Sequence, residues 1–119
     1  MEKTNGSRQT YLKTIRELRR DGARVRNADI ASALGYARPS VTAALKKLAA
    51  EGYIRVEKGA VILTGLGEEA AKEAEEKSRV LTDFFLDLGA APASARENAR
   101  RAEPVLTDDL FELIRERRK

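Results

Sequence analysis

Bulky residues recur at helical spacing through most of this chain, interrupted once by a short β-like stretch. In "RQTYLKTIRELRRD", residues 8–21, Tyr11, Leu12, Ile15 and Leu18 fall on one face, and Gly22 supplies a stop. After the connector "ARVRN", Asn27 is expected to cap a second short helix, "ADIASAL", with Ile30, Ala31 and Leu34 turned inward. The tight turn "GYAR" leads to Pro39, which suits the first position of a third helix ending near Gly52. That helix carries Val41, Leu45 and Leu48 on one face, with Ala44 beside them. Its other face holds Ser40, Ala43 and Lys47, flanked by Thr42 and Lys46. "YIRVE" and "AVILT" are β-rich, and the two residues between them, Lys58-Gly59, predict a short hairpin.

Beyond Thr64 the helical period returns. Gly67, Ala71, Ala74, Ser78, Leu81, Phe85 and Leu88 repeat at spacings of four and three, forming a seam that is small at one end and bulky at the other. Pro92 starts a further helix with Ala95, Ala99 and Ala102 along one side, and Pro104 ends or bends it. Thr107, Asp108 and Asp109 open a last helix holding Leu110, Phe111, Leu113 and Ile114.

The pattern predicts a mainly α chain with a small β-hairpin: a winged helix-turn-helix over residues 1–64, then a helical dimerisation unit over 65–119. In such a module the second helix of the pair enters the DNA major groove, and residues near its N-terminus reach base edges. Small side chains at Ser40, Thr42 and Ala43 permit close approach, and Arg38, beside Pro39, is within reach of a guanine or a phosphate. Lys46 and Lys47 would meet the phosphate backbone, as would Arg26, Asn27, Arg55 and Lys58. The pairing surface of the second unit is expected at Leu81, Phe84, Phe85, Leu88, Leu110, Phe111 and Ile114, because groove-binding helices of this kind work in pairs on a two-fold site.

Charge sharpens this picture. Residues 1–60 hold thirteen Lys/Arg against six Asp/Glu, a net of +7, and residues 61–119 hold ten against thirteen, a net of −3. One half is suited to a polyanion and the other is not. With 119 residues, 42% of them hydrophobic and 35% charged, the composition is that of a soluble domain, with a partner subunit enlarging a modest core. "MEKTNGSRQT" has no apolar stretch of the kind that opens a signal peptide, and no run approaches the roughly 20 apolar residues of a membrane span. A cytoplasmic location is expected, in keeping with the absence of cysteine. Without cysteine or histidine there are no disulfides, thiolate sites or imidazole ligands, and no serine stands beside a plausible base, so an enzyme is not expected. "GLGEEA", residues 65–70, fits the GxGxxA pattern of dinucleotide sites, but the chain has no βαβ crossover, and Glu68 and Glu69 would repel a pyrophosphate.

Taken together, "DIASALGYARPSVTAALKKLAAEGYI", "VILTGLGEEAA", "VLTDFFLDLGA" and "AEPVLTDDL" resemble the metal-responsive repressors typified by the diphtheria-toxin repressor and the manganese transport regulator. The resemblance runs over roughly residues 7–113, and in length the chain is similar to the manganese-type members. It implies a homodimer that binds a palindromic operator in double-stranded DNA and represses metal-uptake genes when Fe(II) or Mn(II) is bound.

The ligand positions depart from that family. Where it places carboxylates on the first helix, a histidine on the long helix and Glu-x-x-Glu-His on the next, this chain has Thr10 and Lys13, then Ser78, then Arg100, Glu103 and Pro104. Glu103 is the one family ligand retained, and a single carboxylate cannot hold a hard divalent ion that wants about six donors. No cofactor is therefore expected, and Lys13 or Arg100, paired with Glu103, is expected to place fixed positive charge where metal would sit. The alternative is Mn(II) or Fe(II) at a relocated site built from Glu75, Glu76, Asp83 or Glu97. A different alternative is a winged helix that docks on another protein, for which Ala43 speaks, since it offers a base no more than a methyl contact.

Overall fold

The computed structural model describes residues 8–118; the opening "MEKTNGS", on which the reading of the N-terminus rests, and Lys119 lie outside them. Six helices and one hairpin follow in the expected order: α1 (Arg8–Leu18), α2 (Asn27–Leu34), α3 (Arg38–Ala50), β1 (Ile54–Glu57), β2 (Ala60–Leu63), α4 (Gly65–Asp87), α5 (Pro92–Ala102) and α6 (Asp108–Arg118). None of these helices is long and apolar enough to cross a membrane. The residues form two compact units, one ending at Lys72 and one beginning at Glu73.

The first unit is a winged helix-turn-helix. Tyr11, Leu12 and Ile15 of α1, Ile30 and Ala31 of α2, and Val41, Leu45 and Leu48 of α3 share one core with Val25, Ile54, Val61 and Leu63. α1 stops at Leu18, the last residue of its apolar pattern and three residues short of the stretch 8–21, and the chain turns through Gly22. The cap of α2 also differs from expectation. Arg26 is the N-cap, its backbone N–H donating to Asp29 Oδ2 at 2.9 Å, and Asn27 is already the first helical residue. α3 begins at Arg38, so Pro39 is its second residue, where a missing N–H still costs nothing. The hairpin pairs Ile54 with Leu63 and Glu57 with Ala60. Lys58 and Gly59 both have positive φ, the backbone of the tight turn whose twist matches paired strands. Val61 N–H also donates to Val25 O at 2.7 Å, tying the connector to the wing.

The first two turns of α4 pack with this unit. Expectation put the division at the end of the hairpin, between residues 64 and 65; the packing runs further because the helix opens with small residues. A Cβ on Gly67 would stand 2.1 Å from Tyr53 O, so the helix lies directly on the Tyr53 backbone. Thr64 fastens this approach: its hydroxyl donates to Gly52 O at 2.6 Å and accepts the Gly67 N–H at 3.1 Å. Ala71 is fully buried in the same core, and Arg16 of α1 pairs with Glu68 at 3.2 Å.

The second unit is built around Leu81, Ala99 and Phe111, with Val80, Phe85, Ala102, Leu106 and Ile114 packed on them. Lys77 donates to Leu106 O at 3.2 Å, and both Lys77 and Arg115 lie against the Phe111 ring. The end of α6 is joined to α4 by an exposed ion pair, Arg118 donating to Asp87 at 2.8 Å. Its start is set by Asp109, whose carboxyl is held below the usual range, first by the Thr107 hydroxyl and then by the Leu110 N–H. A carboxyl depressed in this way favours folding above its unfolded pKa, and that contribution disappears as pH falls through the folded value.

The Gly67 contact predicts a sharp contrast between neighbouring glycines. Gly67→Ala should destabilise the chain by about 2 kcal/mol or more, because backbone must move to admit the methyl group. Gly65→Ala, with no atom within 4 Å of its Cβ position, should be neutral or stabilising by up to about 1 kcal/mol. Urea unfolding measures both, and equal midpoints for the two variants would contradict the close approach.

Candidate nucleic-acid interface

α3 buries Val41, Leu45 and Leu48 and leaves its other side bare. Arg38, Pro39, Thr42, Ala43, Lys46 and Lys47 are all exposed, and Ser40 is half-buried. The helix thus presents small residues and one arginine at its N-terminal end, with two lysines further along. This is the arrangement a groove-entering helix needs, since base edges are reached from the first turns and phosphates from the flanks.

The wing supplies a second basic edge in the same unit. Lys58 sits at the tip of the turn, and its carbonyl accepts from Arg24 Nη2 at 3.1 Å. A Cβ on Gly59 would stand 3.0 Å from Arg26 Nη1, so that guanidinium lies against the turn. Arg55 donates to Glu57 at 2.8 Å, which spends part of its charge locally. Sequence reasoning did not single out Arg24. The signal was there in the spacing of Arg24 and Arg26 in an extended connector, which puts both on one side.

Asn27 behaves differently from the surface contact expected of it. The residue is half-buried, its Oδ1 accepts from Arg38 Nε at 3.0 Å, and its Nδ2 donates to Thr42 Oγ1 at 2.7 Å. These two bonds join the start of α2 to the first two turns of α3. Fifteen residues separate Asn27 from Thr42, so no local pattern could have announced the contact.

Of the residues singled out around Glu103, Arg100 is arranged otherwise than expected. Glu103 is fully buried, while the Arg100 side chain is 59% exposed and donates to Glu97 at 2.7 Å. Arg101 joins the same carboxylate at 2.8 Å. Glu97 is held below the ordinary carboxylate range, first by the hydrogen bond from Arg100. Arg100 therefore turns outward to Glu97, one turn back, and does not stand as the charge beside a buried Glu103. Lys13, on α1, and Ser78, on α4, are each half-buried and each has an interaction partner, as does Glu103.

Three of the four carboxylates considered for a relocated metal site are committed to cations. Glu76 pairs with Arg79 and Arg115, Asp83 with Arg118, and Glu97 with Arg100 and Arg101. Among the described residues no three Asp, Glu, His or Cys side chains gather as a metal would require. A Mn(II) or Fe(II) ion asks for about six oxygen or nitrogen ligands.

In the second unit, Leu81 and Phe111, expected on a pairing surface, are core residues of their own chain, at 0% and 6% exposure. Both lie on the inner side of their helices, where the seam pattern and the core pattern coincide. Leu88 and Leu110 are exposed, and Phe84, Phe85 and Ile114 are half-buried. Leu113, not singled out for pairing, is 65% exposed, one turn from Leu110.

Residues 3–60 match the family described as iron dependent repressor, N-terminal DNA binding domain. The transcriptional regulator MntR of Escherichia coli is 33% identical over 106 residues, which span 88% of this chain and 68% of that protein. MntR of Salmonella typhimurium is 35% identical over 103 residues, spanning 86% of this chain and 66% of the relative. Among solved structures, a manganese-dependent transcriptional repressor in complex with manganese superposes with a TM-score of 0.83 at 26% identity, over 93% of this chain and 52% of that one. The manganese regulator SloR superposes with a TM-score of 0.80 at 25% identity, over 98% of this chain and 54% of that one. From the winged head, the matched domain and a relative aligned along most of both lengths, the chain belongs to the iron-dependent repressor family, a family of transcriptional regulators and not of enzymes.

Proposed function

We propose that this protein is a homodimeric, sequence-specific DNA-binding repressor that acts on a palindromic operator without activation by metal. The observation that carries the DNA reading is the bare, basic face of α3 beside a basic wing, both on one small unit. In this reading Arg38, Ser40, Thr42 and Ala43 approach base edges, while Lys46, Lys47, Arg26, Arg55 and Lys58 meet phosphates. Pairing is supported by the apolar side chains that the second unit leaves to solvent, Leu88, Leu110 and Leu113 among them. A second copy would cover these, and Leu81 and Phe111 would support the surface from beneath.

Independence from metal is supported by the residues at the family's ligand positions. They comprise two hydroxyls, two cations, a proline and one buried carboxylate. Such a set repels a divalent cation more than it attracts one. Lys13 is the cation that fits the role of fixed charge, because Arg100 is spent on Glu97 at the surface.

Two outcomes are expected. The purified protein, titrated onto a labelled duplex from upstream of its own gene, should bind as tightly in strong chelator as in Mn(II) or Fe(II) kept anaerobic. Affinity should fall with salt by roughly 0.9 log unit per log unit for each phosphate neutralised. Binding that requires metal would overturn the reading of the ligand positions, and binding indifferent to both salt and sequence would favour a protein-docking module. Separately, Arg100→Ala should cost less than about 1 kcal/mol in stability, as exposed pairs do. Glu103→Ala should cost about 2 kcal/mol or more, because a buried polar group loses its interaction and leaves a void. Thermal or urea unfolding of the two variants reads the difference.

A further inference from the structure

The amide of Asn27 stands between two residues of α3 that lie one turn apart. Arg38 Nε donates to its Oδ1 at 3.0 Å, and its Nδ2 donates to Thr42 Oγ1 at 2.7 Å. The amide has one possible orientation here. A guanidinium only donates, so the carbonyl oxygen must face it, and the NH2 group then faces the threonine hydroxyl, which accepts. Among the described residues this is the one hydrogen bond of the Arg38 side chain. It spends Nε and leaves the two Nη groups at the outer end.

That arrangement decides what Arg38 can read. With Nε occupied, the side-on fork made by Nε and one Nη is closed, and the end-on pair of Nη groups remains. Guanine offers two neighbouring acceptors in the major groove, O6 and N7, which an end-on guanidinium meets with both bonds. Adenine offers one acceptor beside an amino donor, and a donor-only group cannot pair with both. An arginine without the tether would be free to swing to a phosphate, where it would carry no sequence information. The tether also removes freedom that would otherwise be lost on binding. Asn27 itself is poorly placed to read a base, since both ends of its amide are already engaged.

We propose that Asn27 is a positioning residue: through Arg38 it sets a preference for guanine at one position of each operator half-site. The inference rests on the reading of α3 as the groove-entering helix. Four forms of the full chain are compared: the parent, Arg38→Ala, Asn27→Ala and the double variant. Random duplexes are enriched on the parent, and each form is then titrated onto the enriched duplex and onto single-base-pair replacements of it. The parent should prefer G·C at one half-site position by about tenfold over A·T. Arg38→Ala and Asn27→Ala should each flatten the preference at that same position, leaving the preferences elsewhere standing. The double variant should add nothing there, because Asn27 acts through Arg38.

Asn27→Asp keeps an oxygen facing Arg38 Nε, so it should retain the guanine preference even as its added negative charge lowers affinity on every duplex. Where Asn27→Ala does not fold, Asn27→Leu, of similar volume and without polar atoms, takes its place. A guanine preference that survives in the alanine or leucine variant, or an equal loss at every position, would overturn the proposal, as would its loss in Asn27→Asp. If the parent enriches no sequence at all, the groove reading fails first and takes the proposal with it. That outcome is told apart from the others before any variant is tested.

Discussion

A helix that must offer one face to another molecule can be held only by the opposite one. α3 is held by three side chains, Val41, Leu45 and Leu48, none more than 6% exposed. Burying three such residues is worth roughly 1.5–3 kcal/mol each, and this has to position a helix whose outer side hydrogen-bonds, among the described residues, only to the Asn27 amide. The rest of the head is arranged to make those burials secure. α1 contributes a floor through Tyr11, Leu12 and Ile15, and α2 adds Ile30 from the side. The hairpin closes the third side with Ile54 and Leu63, and Gly67 lets α4 lie against the Tyr53 backbone just after α3 ends. Small residues on the outer face complete the design, because Ser40, Thr42 and Ala43 leave room for an approaching surface.

Wherever a local rule decides the outcome, the structure was legible in the residues. Apolar spacing marked all six helices, and the Lys58-Gly59 pair marked a turn whose two residues need positive φ. Face arithmetic was less informative where two partners compete. Arg100 has Glu103 three residues ahead and Glu97 three residues behind, and both are within reach on a helix. The pattern alone cannot tell which carboxylate the packing will bury. Glu103 shares the inner stripe with Ala95 and Ala99 and goes inward, so the exposed Glu97 takes the arginine. The same limit applies to Leu81 and Phe111, since a seam facing a partner and a seam facing the chain's own core have one sequence signature.

Long-range contacts were the least legible. Asn27 looked like a helix cap because Asn, Asp and Ser are common there. Its amide instead crosses to α3, while Arg26 takes the cap with Asp29. Gly67 looked like the small end of a helical seam, and its reason is the backbone oxygen of Tyr53. In each case the decisive atom belongs to a residue more than ten positions away. The ligand positions show the opposite case. There the residue types alone, two cations and a proline among them, differ from what the surrounding family likeness would suggest.

The proposed function stands on the outer face of α3, with the wing beside it, as the surface that meets DNA. The most direct measurement is an NMR titration of isotope-labelled protein with duplex DNA, following backbone amides and the arginine Nε–H groups. The shifts should concentrate in residues 38–47 and 55–59, with the Arg38 Nε–H among the most affected. Shifts concentrated instead on the outer side of α1, around Glu17 and Arg20, with α3 unperturbed, would contradict it.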